Sequence, residues 1–164
     1  MRDNSGYERG TEHTIPIAAD AQRRRQTVVP GNIEYVNAKG LPGNPAYSHA
    51  VAVSGNVRNV YVGGQNAVDA SGQIVGKGDL AAQTEQALKN LQSVLQAAGA
   101  ELEQVVKWTV YLVQGQSPME GFEAFRRFWG NRTVAPALTV FFVAGLAHPD
   151  FLIEIEAVAA VRES

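Results

Sequence analysis

Chemistry needs groups that move protons, hold charge or bind a metal, and this sequence offers few of them. Cysteine is absent, which removes thiolate nucleophiles, disulfides and thiolate metal sites together. The three histidines, His13, His49 and His148, stand far apart, none at ligand spacing with another. No metal site is expected from them. No Gly-x-Ser-x-Gly turn exposes a serine nucleophile. Gly76-Lys77-Gly78-Asp79 has glycines without the spacing or hydroxyl of a phosphate loop and reads as a turn before a helix. Nothing calls for a cofactor.

Two features remain. Glu154 lies within the apolar segment Leu152–Val161. A carboxylate there is either a solvated or ion-paired edge group or a proton carrier facing a cleft. Gly63-Gly64-Gln65 ends a strand-like run. Glycines at a strand end let a ligand approach backbone N–H groups, and a plain bulge would look the same.

The elements that must position these groups are legible from periodicity. Gly31–Val36 reads as a short strand, followed by the turn-rich Lys39–Pro45. Ser48–Ser54 and Asn59–Gln65 alternate as strands, and Asp69-Ala70-Ser71-Gly72 turns the chain back through Ile74 and Val75. Leu80–Ala98 repeats Leu80, Thr84, Ala87, Leu88, Leu91, Val94, Leu95 and Ala98 on one stripe, with Asp79 as N-cap and Gly99 past the end. Val105–Val113 is rich in β-branched and aromatic residues, the mark of a strand.

Ser117-Pro118-Met119-Glu120 reads as a capping box opening a second helix. Its aromatic stripe of Phe122, Phe125 and Phe128 or Trp129, with Met119, is expected to be core. Ala137–Val143 and Leu152–Val161 close the chain as strands. In the last, Ile153, Ile155, Ala157, Ala159 and Val161 take one face, and Glu154, Glu156 and Val158 the other. Two helices can cover one face of a single sheet, an α+β architecture. The uncovered face then favours assembly.

Composition bounds the rest. At 164 residues, 45% hydrophobic and 18% charged, the chain suits one ordinary domain with a core. Residues 29–164 are read as that domain. Residues 1–28, with the cluster Arg23-Arg24-Arg25, are read as a poorly ordered, solvated extension. A net charge of −2 gives no electrostatic case for nucleic acid or anionic membrane. No apolar run reaches the roughly 20 residues of a membrane helix. The lack of cysteine fits a reducing cytoplasmic setting.

From Asn44 to Val161 the residues resemble a known family. Pro45-Ala46-Tyr47-Ser48-His49-Ala50-Val51, Val62-Gly63-Gly64-Gln65, the helix from Asp79 to Ala100, Val105–Leu112 and Ile153-Glu154-Ile155-Glu156-Ala157 are similar to successive motifs of the reactive-intermediate deaminase (Rid, YjgF-type) family. The resemblance implies a chorismate-mutase-like fold and a homotrimer whose sheets form a central barrel, with helices outside. It also implies clefts between subunits that bind a small molecule. Active members hydrolyse reactive enamines and imines to ammonia and a 2-keto acid.

By motif, the family's tyrosine falls on Tyr47, its strand-end glycine on Gly64 and its water-placing glutamate on Glu154. The family arginine that clamps a substrate carboxylate stands in Pro-Ala-Arg-Ser. Here the place reads Pro136-Ala137-Leu138-Thr139. Losing that contact costs about 1.5–3 kcal/mol of binding and makes the cleft more apolar. Gly63 replaces a serine, and His49 stands where glutamine is common, placing a titratable group near Tyr47.

The expected function is thus an imine or enamine deaminase with altered substrate range, Glu154 and Tyr47 catalytic, and Gly64, Leu138, Thr139 and His49 binding. The alternative is a non-catalytic small-molecule binder whose cleft is lined by Leu138, Phe141 or Phe142 and Tyr47. RNA cleavage, a label attached to some members, fits neither the acidity nor the lack of a basic aromatic surface.

Overall fold

The computed structural model describes residues 29–133 and 135–163. The reading of residues 1–28 as an extension lies outside them. Six strands and two α-helices follow in the order β1 (Asn32–Val36), β2 (Ala50–Ser54), β3 (Val57–Gln65), α1 (Leu80–Ala97), β4 (Val105–Val113), α2 (Pro118–Trp129), β5 (Ala137–Val143) and β6 (Ile153–Arg162). A single 3-10 turn, Leu102–Gln104, leads into β4.

Strands β3-β6-β4-β5 form one mixed sheet, with β4 and β5 parallel and the other pairs antiparallel. The parallel pair needs a crossover, which α2 supplies. Both helices lie over the same face of this sheet, as expected from the two apolar stripes. The single sheet expected holds four of the six strands. β1 and β2 pair only with each other. That ribbon runs from Ser48, bridged to Ala137 of β5, to Asn56, whose carbonyl accepts from the Glu163 N–H near the end of β6.

The core lies between α1 and the sheet. Leu80, Ala87, Leu88, Leu91 and Leu95 of α1 are fully buried, as are Ile153, Ile155, Ala157 and Ala159 of β6. The period-2 pattern of β6 is what puts its apolar residues inward and its glutamates outward. Asp79 caps α1, its Oδ1 accepting from the Ala82 N–H at 2.9 Å, and Gly99 follows at φ +67°.

Ser117 opens α2 without a side-chain cap bond, so the expected capping box is not made; Pro118 at the first turn starts the helix instead. The aromatic stripe of α2 is only partly core. Phe125 and Trp129 pack edge-on against Trp108 at 5.8 Å, while Met119 is 62% and Phe122 38% exposed. No helix among the described residues is long and apolar enough to cross a membrane.

Candidate functional site

Glu154 is the second residue of β6, paired with Tyr111 of β4, and its side chain lies on the helix-free face. On its other side β3 bulges between Val62 and Gln65. The bulge lays Gly64 against Glu154 so closely that any β-carbon at 64 would collide with the carboxylate. A larger residue at 64 would thus push the carboxylate aside; the constraint is space and not backbone conformation, since its φ is not positive. Gly63 beside it faces open space.

Asn66, just past the bulge, donates through Nδ2 to Glu154 Oε2 at 3.1 Å and to the Ile153 carbonyl at 3.3 Å. Its own carbonyl accepts from Asn90 of α1, which also ties the Val68 carbonyl. Gln83, fully buried on α1, binds the Asp150 carbonyl and the Leu152 N–H at 2.8 and 2.9 Å. Two amide side chains of α1 thus fix the start of β6 and the end of β3. Helix, bulge and strand aim one carboxylate.

The rest of that face is mixed. Tyr111 donates to Glu156 Oε2 at 3.1 Å and stacks on Phe141 at 5.9 Å. The Glu156 hydrogen bond, chiefly, raises the phenol's pKa. Lys107, at the other end of β4, donates to Thr139 Oγ1 and to the Trp108 carbonyl. Burial lowers the pKa of its ammonium.

Tyr47 precedes Ser48, whose N–H binds the Pro136 carbonyl and which bridges Ala137, the β5 partner of Lys107. Tyr47 therefore sits at the level of Lys107. Glu154 sits at the level of Tyr111, about 13 Å further along β4. One protomer keeps the two groups apart.

Thr139 shares the helix-free face through its bond from Lys107. Leu138 does not. It pairs with Trp108, turns to the helix side and lines an apolar cavity under α2. His49 has both ring nitrogens engaged by its own loop. Nδ1 accepts from the Ala38 N–H, so Nε2 is left to donate to the Pro42 carbonyl, each at 3.0 Å. It fastens the turn between β1 and β2 and leaves no ring nitrogen for a substrate.

Three arginines are engaged within their own chain. Arg58 binds the Ala98 and Gly99 carbonyls, Arg127 pairs with Glu85, and Arg132 pairs with Glu103. Arg126 belongs to α2, in the helix layer. Asn66, Asn90 and Lys107 are the site residues that sequence reasoning missed. Among the described residues no group of acidic residues and histidines could hold a metal.

The endoribonuclease L-PSP family model matches residues 41–161. The 2-iminobutanoate/2-iminopropanoate deaminase of Rattus norvegicus is 41% identical over 116 residues, covering 70% of this chain and 79% of the rat protein. A RutC family protein of Pyrococcus horikoshii is 39% identical over 114 residues, 69% of this chain and 85% of its own. A solved member of the conserved Rid protein family from Yersinia pestis superimposes with a TM-score of 0.69 at 36% identity, covering 79% of this chain and 99% of its own. Sequence and fold agree: the chain belongs to the endoribonuclease L-PSP family, the Rid or YjgF family of its solved relatives.

Proposed function

We propose that this protein hydrolyses small imines or enamines, releasing ammonia, in clefts formed between three copies of the chain. The observation that carries the reading is the Glu154 carboxylate, held by Asn66 against the Gly64 backbone on a sheet face that no helix covers. The similar rat protein, named as an imine deaminase, supports the reaction class. Water adds across the C=N bond: its oxygen bonds to carbon while Glu154 takes a proton. Returned to nitrogen, that proton gives a carbinolamine; Glu154 then carries the hydroxyl proton to the amino group, the C–N bond breaks, and ammonia departs as the C=O bond forms.

Assembly is supported by what the helix-free face exposes. Tyr61 is 77% and Phe141 50% exposed there, an apolar surface that favours burial against another copy. Such packing can bring Tyr47 of one chain toward Glu154 of the next, two residues whose backbones lie about 13 Å apart along the strand direction in a single chain.

Leu138 lies on the helix side of its own chain, so it sets substrate range only in a cleft shared with a neighbouring copy. Without a guanidinium fork, a carboxylated imine loses its two-pronged clamp. Lys107, half-buried beside Thr139, offers only a point charge. Neutral imines are therefore favoured.

Freshly generated neutral and carboxylated imines, assayed for ammonia, test this. Turnover is expected for neutral imines and should fall about 10²- to 10⁴-fold in Glu154→Gln. Ammonia from none of a broad panel would contradict it. The stack of exposed Phe141 on half-buried Tyr111 favours, as a second reading, a cleft that binds an apolar metabolite without turnover. Thermal shifts that persist in Glu154→Gln, with no ammonia, would select it.

A further inference from the structure

On the helix-free face Lys107 of β4 stands between Ala137 of β5 and Val158 of β6, two apolar cross-strand neighbours. Its half-buried ammonium donates to the Thr139 hydroxyl and to the Trp108 carbonyl, both neutral acceptors. No ion pair among the described residues includes it. Glu156, opposite Thr109 on β6, is tied to the Tyr111 hydroxyl instead, and Glu154 stands two residues further on.

The other lysines, Lys39, Lys77 and Lys89, are exposed and hydrated. Lys107 has lost part of its hydration and gained no carboxylate, which favours the neutral amine; burial accordingly lowers its pKa. A desolvated lysine amine is a nucleophile toward C=N and C=O carbons. Lys107 also stands at the level of Tyr47. Packing that brings Tyr47 toward Glu154 of the next copy brings this amine with it.

We propose that Lys107 is a covalent catalyst: its Nζ displaces ammonia from a neutral imine and holds the carbon as a lysine-bound imine, which water then hydrolyses. This role rests on the imine-hydrolysis reading and adds a step before water attacks. The Nζ lone pair bonds to the imine carbon as the C=N π pair moves to nitrogen. One Nζ proton passes to that nitrogen through the Thr139 hydroxyl, which already accepts from Nζ, leaving a carbon with two amino groups. The second Nζ proton follows the same way. The original C–N bond breaks, and ammonia leaves as the C=Nζ bond forms. Glu154 of the neighbouring copy then activates water on that carbon, giving the ketone and the free amine.

The test is reductive trapping on the intact protein, with cyclohexanone and cyanoborohydride at neutral pH and peptide mass mapping. The chain has four lysines, so three serve as internal controls. Lys107 should be alkylated about ten-fold faster than Lys39, Lys77 or Lys89. With freshly generated cyclohexanimine, ammonia release should fall about a hundred-fold in Lys107→Arg, which keeps the charge and loses the amine; Lys107→Met serves if that variant does not fold. During turnover of the same imine, Glu154→Gln should raise the share of Lys107 trapped, because the lysine-bound imine then outlives its formation. Ammonia release that survives both Lys107 variants, or alkylation no faster at Lys107 than at the other three lysines, would overturn the covalent route and leave direct hydrolysis standing. No ammonia from the wild-type protein would overturn both.

Discussion

Glu154 has one oxygen held and one at close quarters. Asn66 donates to Oε2, while Oε1 is the atom turned toward Gly64. A methyl group at 64 meets the tip of a flexible side chain, which can swing aside, so the strand should survive while the carboxylate loses its aim. Gly64→Ala is therefore expected to lower imine turnover about a hundred-fold, with stability changed by no more than about 1 kcal/mol. Steady-state kinetics beside a melting curve check this; a large loss of stability with unchanged turnover would oppose it. Glu154 and Gly64 were visible in the sequence because one interrupts an apolar strand and the other sits at a strand end. Asn66 was not, because its partner lies 88 positions away and an asparagine after a glycine pair looks like any turn. Leu138 shows the limit of motif reading. Its type was legible, but the pairing with Trp108 sets its direction, and pairing is a property of the assembled sheet.

Between elements, helix ends show how local signals meet tertiary constraint. Asp79 and Ser117 both occupy N-cap positions, yet only Asp79 makes a side-chain cap. Asp79→Ala should cost about 1 kcal/mol and Ser117→Ala less than about 0.5 kcal/mol, as chemical denaturation would measure. Equal losses would show that cap geometry does not govern α2. The tie between the turn before β4 and the end of α2 is ionic. Arg132 donates to Glu103 at 2.7 Å, and that hydrogen bond, first among its causes, holds the Glu103 pKa below its ordinary value. The folded pKa being depressed, the stabilisation is present above the ordinary glutamate range and is lost as pH falls through the lowered value. Both groups are partly solvated, so the effect stays below about 1 kcal/mol. Wild type and Glu103→Gln should converge in melting temperature as pH falls through the lowered Glu103 value; a gap that persists below it would contradict the assignment. β4 and β5 matched their expected bounds because β-branched runs leave little choice. The separation of the β1–β2 ribbon from the main sheet was hidden, since strand alternation specifies a face and not a neighbour.

At the scale of the molecule, one sheet divides two chemistries. The helix side carries the core and an apolar cavity under α2. The other side carries the carboxylates, Tyr111, Lys107 and exposed aromatics, and is the side proposed to meet other copies. Complementation tests that proposal directly. Tyr47→Phe and Glu154→Gln, each weak alone in imine hydrolysis, would be co-expressed so that mixed assemblies form. If each cleft takes Tyr47 from one chain and Glu154 from another, random mixing leaves about one quarter of the clefts intact, and about that fraction of wild-type ammonia release should return. Mixed assemblies no more active than the two variants apart would contradict the account.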